Sequence, residues 1–354
     1  MTSPARTPLR TRLMDIASAL ATPLVPTDFL DLVAPLSNPT QLRGKVVAVR
    51  PETRDAATLV IRPGRGWNDH TPGQYVRIGV DIDGVRQWRT YSLTGPLADG
   101  CLTVTVKAIP DGLVSNHLVR ALQPGTVVHL DQAAGDFVLP ATLPSKALFI
   151  TAGSGITPVM GMLRHRALPD AVLIHSAPTS ADVIFATELR ALAAAGGVTL
   201  IEQHTDADGM LSVDDIAALV PDLAEREIWA CGPSPMLDAI EEHAAGLGIL
   251  DRLHIERFRP VVIVTGEGGT LSFDRSNTVV EADGATPILT AAENAGVLMP
   301  SGCRMGICFG CVLPLREGAV RDLRDGTLTV AAEGDNVLIQ TCISAAAGAC
   351  RIDH

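Results

Sequence analysis

Long apolar runs, aromatic side chains and excess positive charge are all scarce in this 354-residue sequence. No stretch reaches the roughly 18 consecutive apolar residues of a membrane span, so no transmembrane helix is expected. Aromatic residues make up only 3% of the chain, and the net charge of −11 argues against nucleic acid as a partner. The hydrophobic content of 47% is nevertheless enough for a sizeable core, and the length predicts two or three domains.

Secretion signals and a disulfide framework are also lacking. No N-terminal stretch combines the positively charged region, the apolar core and the small-residue cleavage site of a secretory signal. The count of seven cysteines is odd, which does not favour a set of disulfides. We therefore expect a cytoplasmic protein. Residues 1–41 are predicted to be an N-terminal extension, with a short amphipathic helix within residues 10–20 that either packs on the body or faces a partner or membrane.

Four cysteines near the C-terminus have the spacing C-x4-C-x2-C…C, which is typical of plant-type [2Fe–2S] ligands. They are Cys303, Cys308, Cys311 and Cys342. Adjacent glycines suit a tight loop whose N–H groups point at sulfur atoms. A zinc site would show compact pairs of cysteines or histidines, and no histidine lies near Cys342. The spacing therefore predicts a cluster that moves single electrons.

The rest of the sequence shows two further patterns of secondary structure. Residues 42–143 carry short β-type runs separated by turn residues, which predict an antiparallel β-barrel with one helix near residues 114–121. Residues 144–259 alternate strands, glycine turns and helices, which predict a parallel sheet wrapped by helices. Residues 260–354 are predicted to be the cluster domain, with an α+β β-grasp fold. The glycine-rich run at 266–269 is predicted to be a mobile linker.

The predicted barrel contains two sequence features that could bind a dinucleotide. Arg89 offers a fork of donors to a phosphate, Tyr91 shares its strand face and can lie against a flat ring, and Ser92 adds a hydroxyl. The run from Gly112 to Ser115 opens the only predicted helix of the barrel, and a helix N-terminus binds anions. Two phosphate-directed devices favour FAD over FMN, although each pattern is common on ordinary surfaces.

Glycine turns follow two strands of the predicted parallel sheet. The first contains Gly153, Gly155 and Thr157, and the second is Cys231-Gly232-Pro233. Such turns lie where parallel α/β sheets bind nucleotides, but they also occur without ligands. After the second strand, the run from His175 to Ser180 has neither the acidic residue that favours NAD nor an arginine. Hydroxyls there, beginning with Ser176, could bind a 2′-phosphate, so we expect NADPH rather than NADH.

Together these motifs resemble the ferredoxin reductase family with a C-terminal plant-type [2Fe–2S] domain, and most closely the actinobacterial NADPH oxidoreductases that serve an acyl-CoA desaturase. The shared runs are W-R-T-Y-S-L, TAGSGITPVM, HSAPTSADV, WACGP and CRMGIC. The resemblance implies that Ser92, Cys231 and Glu256 surround the site of hydride transfer and that Phe258 lies close to the flavin. It assigns further FAD contacts to Val106, Lys107, Ala108, Gly112, Leu113, Val114 and Ser115, and nucleotide contacts to Gly153, Gly155, Thr157, Ser176, Gly232 and Pro233.

The electron counts of the predicted cofactors indicate a relay. NAD(P)H releases two electrons as a hydride, a plant-type cluster accepts one, and a flavin can do both. The resemblance implies a client that activates oxygen, first a membrane di-iron stearoyl-CoA desaturase at the inner face of the membrane. The alternatives are a Rieske-type, alkane or steroid oxygenase served with NADH, and a redox sensor with vestigial nucleotide sites.

Overall fold

The computed structural model describes residues 34–37, 41–110, 112–258, 265–302, 304, 306, 309–335 and 337–354. The helix predicted within residues 10–20 and two predicted cluster ligands, Cys303 and Cys308, lie outside the described residues. Within these ranges, no helix has the length and apolar character that a membrane crossing requires.

The first unit is a six-stranded antiparallel sheet, as predicted. Alternating Val, Ile and Leu side chains fill its interior, including Val46, Ile61 and Ile78. The sheet order is β4-β3-β6-β1-β2-β5, and the edge strands meet because the Thr94 N–H donates to the Thr103 carbonyl at 2.9 Å. The strands are β1 (Arg43–Thr53), β2 (Ala56–Pro63), β3 (Tyr75–Ile82), β4 (Val85–Ser92), β5 (Leu102–Lys107) and β6 (Val127–Leu130).

The predicted helix of the barrel is present and begins one residue earlier than expected. It consists of α1 (Leu113–Asn116) and a π-helical continuation, His117–Ala121. Val114 and Leu118 are buried in the barrel core, which fixes the helix across one end of the barrel.

The second unit is a parallel sheet of five strands in the order β11-β10-β7-β8-β9, which confirms the predicted architecture. The chain leaves β7 toward β8 on one side and returns to β10 on the other, so the carboxyl ends of β7 and β10 form a switch point. The strands are β7 (Ala147–Ala152), β8 (Ala171–Ala177), β9 (Thr199–His204), β10 (Glu227–Cys231) and β11 (Leu253–Glu256). The helices are α2 (Ile156–His165), α3 (Ala186–Ala194), α4 (Thr205–Asp208), α5 (Val213–Leu219) and α6 (Ser234–Leu247).

The sequence from residue 181 to 195 has a helical pattern, but the helix that follows β8 begins only at Ala186. Phe185, immediately before it, has a left-handed backbone with φ of 63°, which interrupts a continuous helix. The preceding residues Ser180–Asp182 form a 3₁₀ turn, in which Thr179 donates a hydrogen bond to the buried Asp182 carboxylate at 2.6 Å. Local side-chain bonding therefore replaces the first turn of the expected helix.

The third unit combines one helix, α7 (Ile288–Asn294), with a mixed sheet in the order β13-β12-β17-β14-β15, and β16 pairs with β14. β12 and β17 are parallel, and the other pairings are antiparallel. This arrangement, with the helix packed on the sheet, is the predicted α+β β-grasp fold. The strands are β12 (Gly269–Phe273), β13 (Thr278–Ala282), β14 (Val312–Asp322), β15 (Leu328–Ala331), β16 (Val337–Gln340) and β17 (Ser344–Ile352).

The glycines of the predicted mobile linker, at residues 266–269, are packed against the third unit. The Gly268 N–H donates to the Ala346 carbonyl at 3.0 Å, and the Gly348 N–H donates to the Gly268 carbonyl at 2.8 Å. A Cβ added to Gly266 would lie 2.4 Å from the Ala346 carbonyl oxygen. The glycines are needed for close packing against the third unit rather than for mobility.

The barrel and the parallel sheet are packed directly against each other. A Cβ on Gly161 of α2 would lie 2.5 Å from the carbonyl oxygen of Leu93, just after β4. Arg164 of α2 donates to the Thr94 carbonyl at 2.6 Å and pairs with Glu188. Helix α2 therefore holds the switch point of the sheet beside the end of β4.

Candidate functional site

Strand β4 carries a largely buried cation, Arg89. Burial and the nearby Arg304 lower the pKa of Arg89 to about 10, so the guanidinium remains charged at neutral pH. The Arg89 guanidinium donates a hydrogen bond to the Trp88 carbonyl at 2.7 Å. No ion pair joins Arg89 to a carboxylate among the described residues. A buried cation without a carboxylate fits an anionic ligand such as a diphosphate.

The next residues on β4 offer a ring and an unsatisfied hydroxyl. Tyr91 lies on the same strand face as Arg89, and burial raises the pKa of its phenol. Ser92 is only 4% exposed, and its Oγ has no hydrogen-bond partner among the described residues. Leaving a buried hydroxyl unpaired costs about 1–3 kcal/mol, which a polar ring atom of a bound flavin would remove. The residues of β4 therefore fit FAD.

The remaining positions predicted to contact FAD contribute mainly backbone. Val106 and Ala108 are buried, and Lys107 already pairs with the Asp55 carboxylate at 2.7 Å. Ser115 Oγ accepts from the Ile109 N–H at 3.3 Å and donates to the Gly112 carbonyl at 3.2 Å.

The turn at Gly112 is therefore built before any ligand binds. A Cβ on Gly112 would lie 2.5 Å from Ser115 Oγ, so the glycine permits this closed turn. Val114 is buried in the core, whereas Leu113 is exposed. The turn can therefore offer an anion the N–H groups of the first helical turn.

The two glycine turns of the parallel sheet touch each other. A Cβ on Gly155 would lie 2.0 Å from the carbonyl oxygen of Cys231, and one on Gly232 would lie 3.2 Å from the Ala152 Cβ. Thr157 Oγ1 donates to the Ser154 carbonyl at 2.9 Å, so this hydroxyl shapes the first turn. Gly153 has φ of +53° and open space around its Cβ position. The turns form one continuous floor at the switch point, and Pro233 follows at the entry to α6.

Two uncharged titratable groups end the neighbouring strands β10 and β11. Cys231 and Glu256 are register partners; Cys231 is fully buried and Glu256 is largely buried. Burial raises the pKa of Glu256 to about 8, and burial together with Glu256 raises the pKa of the Cys231 thiol well above its usual value. Glu256 Oε2 has no hydrogen-bond partner among the described residues. The pair forms a neutral wall that suits an uncharged ring, and Phe258 follows it, partly exposed.

A second polar group lies at the other end of the same sheet edge and was not predicted. Arg190 of α3 donates to both Glu202 oxygens at 2.7 and 2.8 Å and to Ser180 Oγ at 2.7 Å. His204 Nε2 lies 3.0 Å from Glu202 Oε2. Among the hydroxyls expected to bind a 2′-phosphate, Ser176 is buried. Ser180 is bonded to a basic side chain, that of Arg190.

Between these two groups lies a buried histidine. Thr151 Oγ1 and His175 Nδ1 are 2.8 Å apart, and Thr151 is the register partner of Cys231 while His175 is that of Glu202. Burial lowers the pKa of His175 to about 4, so the ring is neutral at physiological pH. A polar row therefore crosses the sheet beneath its carboxyl edge.

Two of the four predicted cluster ligands lie together. Cys311 and Cys342 are both buried, and Thr341, which precedes Cys342, donates through Oγ1 to the Cys311 carbonyl at 2.9 Å. Arg304, within the cysteine loop, donates to Glu293 of α7 at 2.7 Å. Arg304 and Glu293 both act electrostatically on Arg89. Arg304 and Glu293 of the third unit therefore lie within electrostatic range of the strand that fits FAD.

Family models match three consecutive parts of the chain. An oxidoreductase FAD-binding domain matches residues 54–139, an oxidoreductase NAD-binding domain matches 149–242, and a 2Fe-2S iron-sulfur cluster binding domain matches 272–347. These matches bear out the three predicted cofactor-binding domains in their predicted order. The exact domain boundaries and the individual site residues stay predictions.

Two relatives and one solved structure are similar to this chain over most of its length. An NADPH oxidoreductase of Mycobacterium tuberculosis (strain H37Rv) is 49% identical over 96% of this chain and 92% of its own. The ferredoxin reductase component of a 3-ketosteroid-9-alpha-monooxygenase of M. tuberculosis (strain CDC 1551) is 31% identical over 78% of this chain and 85% of its own. Phthalate dioxygenase reductase has the same fold, with a TM-score of 0.61, 21% identity, and coverage of 88% of this chain and 97% of its own.

The sequence motifs, the three folded units and these similarities agree. The resemblance drawn from the motifs is confirmed for the reductase class, and the chain is an oxidoreductase. The chain belongs to the ferredoxin reductase-type flavoproteins in which FAD-binding and NAD-binding domains precede a [2Fe–2S] domain.

Proposed function

We propose that this chain passes electrons from NADPH, by way of FAD and a [2Fe–2S] cluster, to a separate oxygen-activating protein. The observation that carries the proposal is that Arg304, between the predicted cluster ligands, and its ion-pair partner Glu293 lie within electrostatic range of Arg89 on the flavin strand. Bound FAD would supply the conversion of a two-electron hydride into single electrons. Proximity of the two sites supports direct transfer from one to the other.

The chain's own residues bind, orient and exclude water. Arg89 would hold the diphosphate, and Ser92 Oγ would fix the ring through a hydrogen bond. Cys231 and Glu256 would keep the neighbouring slot uncharged, so that a flat nicotinamide ring can displace water from it. Gly155 keeps the floor of that slot low enough for the ring to approach.

The proposal is tested by an anaerobic titration of the purified chain with NADPH. Loss of flavin absorbance, cluster bleaching and reduction of a one-electron acceptor in the same sample would support it. Bound cluster without flavin and without NADPH-driven reduction would instead support the redox-sensor reading and overturn the proposal.

The pKa of Glu256 gives a pH-dependent prediction. Because its pKa is about 8, the carboxyl ionises as pH rises through that value and brings charge into the slot. The rate of NADPH-driven dye reduction is expected to fall between about pH 7 and 9 in the native chain and to stay flat in Glu256→Gln. The raised pKa also means that folding stability is lost as pH rises from the unfolded value near 4.5 toward 8.

Glu241→Gln is the control for this pH profile, because Glu241 pairs with Arg257 on the surface. It should keep the native pH profile of the rate and of the melting temperature. An unchanged inflection near pH 8 in Glu256→Gln would refute the assignment of that inflection to Glu256.

The preference for NADPH rests on Arg190. Its guanidinium neutralises Glu202 and bonds Ser180 at the edge of the sheet where a 2′-phosphate would extend. In Arg190→Gln, we expect the KM for NADPH to rise about 10- to 100-fold, since hydrogen bonds to charged groups contribute about 1.5–3 kcal/mol. The KM for NADH should not change, which steady-state kinetics with both coenzymes would measure.

Arg252→Gln, a change of an exposed arginine in the same domain, should alter neither KM. An equal increase of both KM values in Arg190→Gln would show that Arg190 only supports the fold. A native chain that prefers NADH would contradict the NADPH assignment itself.

Two clients are candidates for the acceptor. The motifs shared with desaturase reductases favour a membrane di-iron acyl-CoA desaturase, at which the chain would work on the inner face of the membrane. The 31%-identical relative named for a 3-ketosteroid monooxygenase favours a steroid oxygenase. Reconstitution with stearoyl-CoA and a candidate desaturase, beside a ring hydroxylase, decides between them: hydroxylation without desaturation would rule out the first client.

A further inference from the structure

A cluster of exposed cations lies on the β1–β2 hairpin and in the turn after β2, and none has a carboxylate partner within the described residues. Lys45, Arg50, Arg62 and Arg65 are all exposed, and none forms an ion pair with any of the described residues. The other basic side chains of the barrel contrast with them, because four lie within 3.2 Å of a carboxylate. These are Arg54, Arg77, Arg86 and Lys107.

The arrangement of these cations carries an electrostatic cost. Lys45 and Arg62 are register partners on antiparallel strands, so two like charges stand directly opposite each other. Such a pair destabilises a sheet. The cluster also stands out in a chain whose net charge is −11. Exposed charges that destabilise the sheet, and that form no ion pair within the described residues, indicate an anionic partner.

The position of the hairpin separates it from the electron path. Around the closed barrel, β1 is three strands from β4 in either direction, by way of β3 and β6 or of β5 and β2. Arg89, Tyr91 and Ser92 are on β4, so the cations lie on the opposite wall of the barrel. A protein that takes electrons must approach the cluster or the flavin, and a contact on this wall would not bring it there.

The chemistry of the surface fits lipid headgroups better than a protein. Protein interfaces have an apolar or aromatic centre, whereas the large apolar side chain exposed on β1 is Val47 alone, at 36%. The surface is an open hairpin of two strands, and guanidinium groups bind phosphate oxygens in pairs. We propose that the β1–β2 hairpin binds the chain reversibly to anionic phospholipid membranes, with the flavin strand and the cysteine loop directed away from that contact.

Vesicle sedimentation of the FAD- and cluster-loaded full chain tests this proposal. We expect binding to vesicles of phosphatidylglycerol and phosphatidylcholine, none to phosphatidylcholine alone, and release by about 0.5 M salt, because the Debye length then falls well below 10 Å. The double variant Lys45→Gln/Arg62→Gln should partition about 30-fold less, since each basic residue near an anionic surface contributes about 1 kcal/mol.

The matched control is Arg166→Gln/Arg252→Gln, which changes the net charge equally at exposed sites elsewhere. It should bind like the native chain, and both double variants should keep NADPH-driven dye reduction. Removing the like-charge pair should leave the melting temperature of the hairpin variant unchanged or higher, which excludes misfolding. Equal binding of the two variants, or no binding by the native chain, would overturn the proposal.

An acidic protein partner is the competing outcome. If the hairpin variant kept its vesicle binding but lost electron transfer to a purified oxygenase component, the hairpin would be a protein-docking surface and the lipid proposal would be wrong. Loss of vesicle binding with unchanged NADPH oxidation and cluster reduction would support the lipid contact independently of which client receives the electrons.

Discussion

Replacing Arg89 by methionine is expected to weaken FAD binding by about 2–5 kcal/mol, or roughly 30- to several thousand-fold. This is the usual effect of removing one partner of a buried charge pair. The same change should stabilise the flavin-free protein, because an uncompensated buried cation is replaced by an apolar side chain of similar length. Flavin fluorescence titration and thermal unfolding with and without FAD would measure these opposite effects.

Arg86→Met provides the matched control on the same strand. Arg86 forms an exposed ion pair with Asp81 at 2.9 Å, and such pairs contribute about 0–1 kcal/mol. It should therefore bind FAD normally. If Arg89→Met bound FAD as tightly as the native chain, Arg89 could not be the diphosphate anchor. If flavin-free Arg89→Met were less stable than the flavin-free native chain, Arg89 would not be an uncompensated cation in the native fold.

Adding one methyl group at Gly155 is expected to disable nucleotide binding. The new Cβ would lie 2.0 Å from the Cys231 carbonyl oxygen and 2.5 Å from its carbonyl carbon, so the two turns must separate. Overpacking of this kind costs about 1–3 kcal/mol and raises the floor of the slot. In Gly155→Ala, we expect at least a tenfold rise in the KM for NADPH, with FAD retained, measured by dye reduction and flavin absorbance.

Gly246→Ala is the control for the added methyl group. Gly246 lies inside α6 with no heavy atom within 4 Å of its Cβ position, so alanine should raise stability by about 0.5–1 kcal/mol and leave the kinetics unchanged. Native kinetics in Gly155→Ala would mean that the turns move apart without cost, and the slot would then not depend on their contact.

The elements that could be predicted from sequence have regular apolar patterns. The runs that became β2, β3 and β7 alternate or concentrate Val, Ile and Leu. The last four strands were not predicted. β17 is built largely from alanine and glycine and is recognisable only because β12 and β14 pair with it on either side.

The site was predictable where its residues are neighbours in sequence, and not where the sheet assembles it. The Arg89–Ser92 run and the glycine turns could be read directly. Arg190 could not, because it lies on a helix ten positions after Ser180 and meets Glu202 through space. The influence of Glu256 on the pKa of Cys231 likewise depends on the pairing of β10 with β11.

The contact between Cys311 and Thr341 has a consequence for how the protein is maintained in a cell. These residues are separated by thirty positions and meet only when β14 and β16 pair. A cluster bound across Cys311 and Cys342 would bind the folded chain and not the unfolded one, so its loading would add to folding stability by mass action. The amount of folded protein would then depend on the iron supply, because chains without a cluster would unfold more readily.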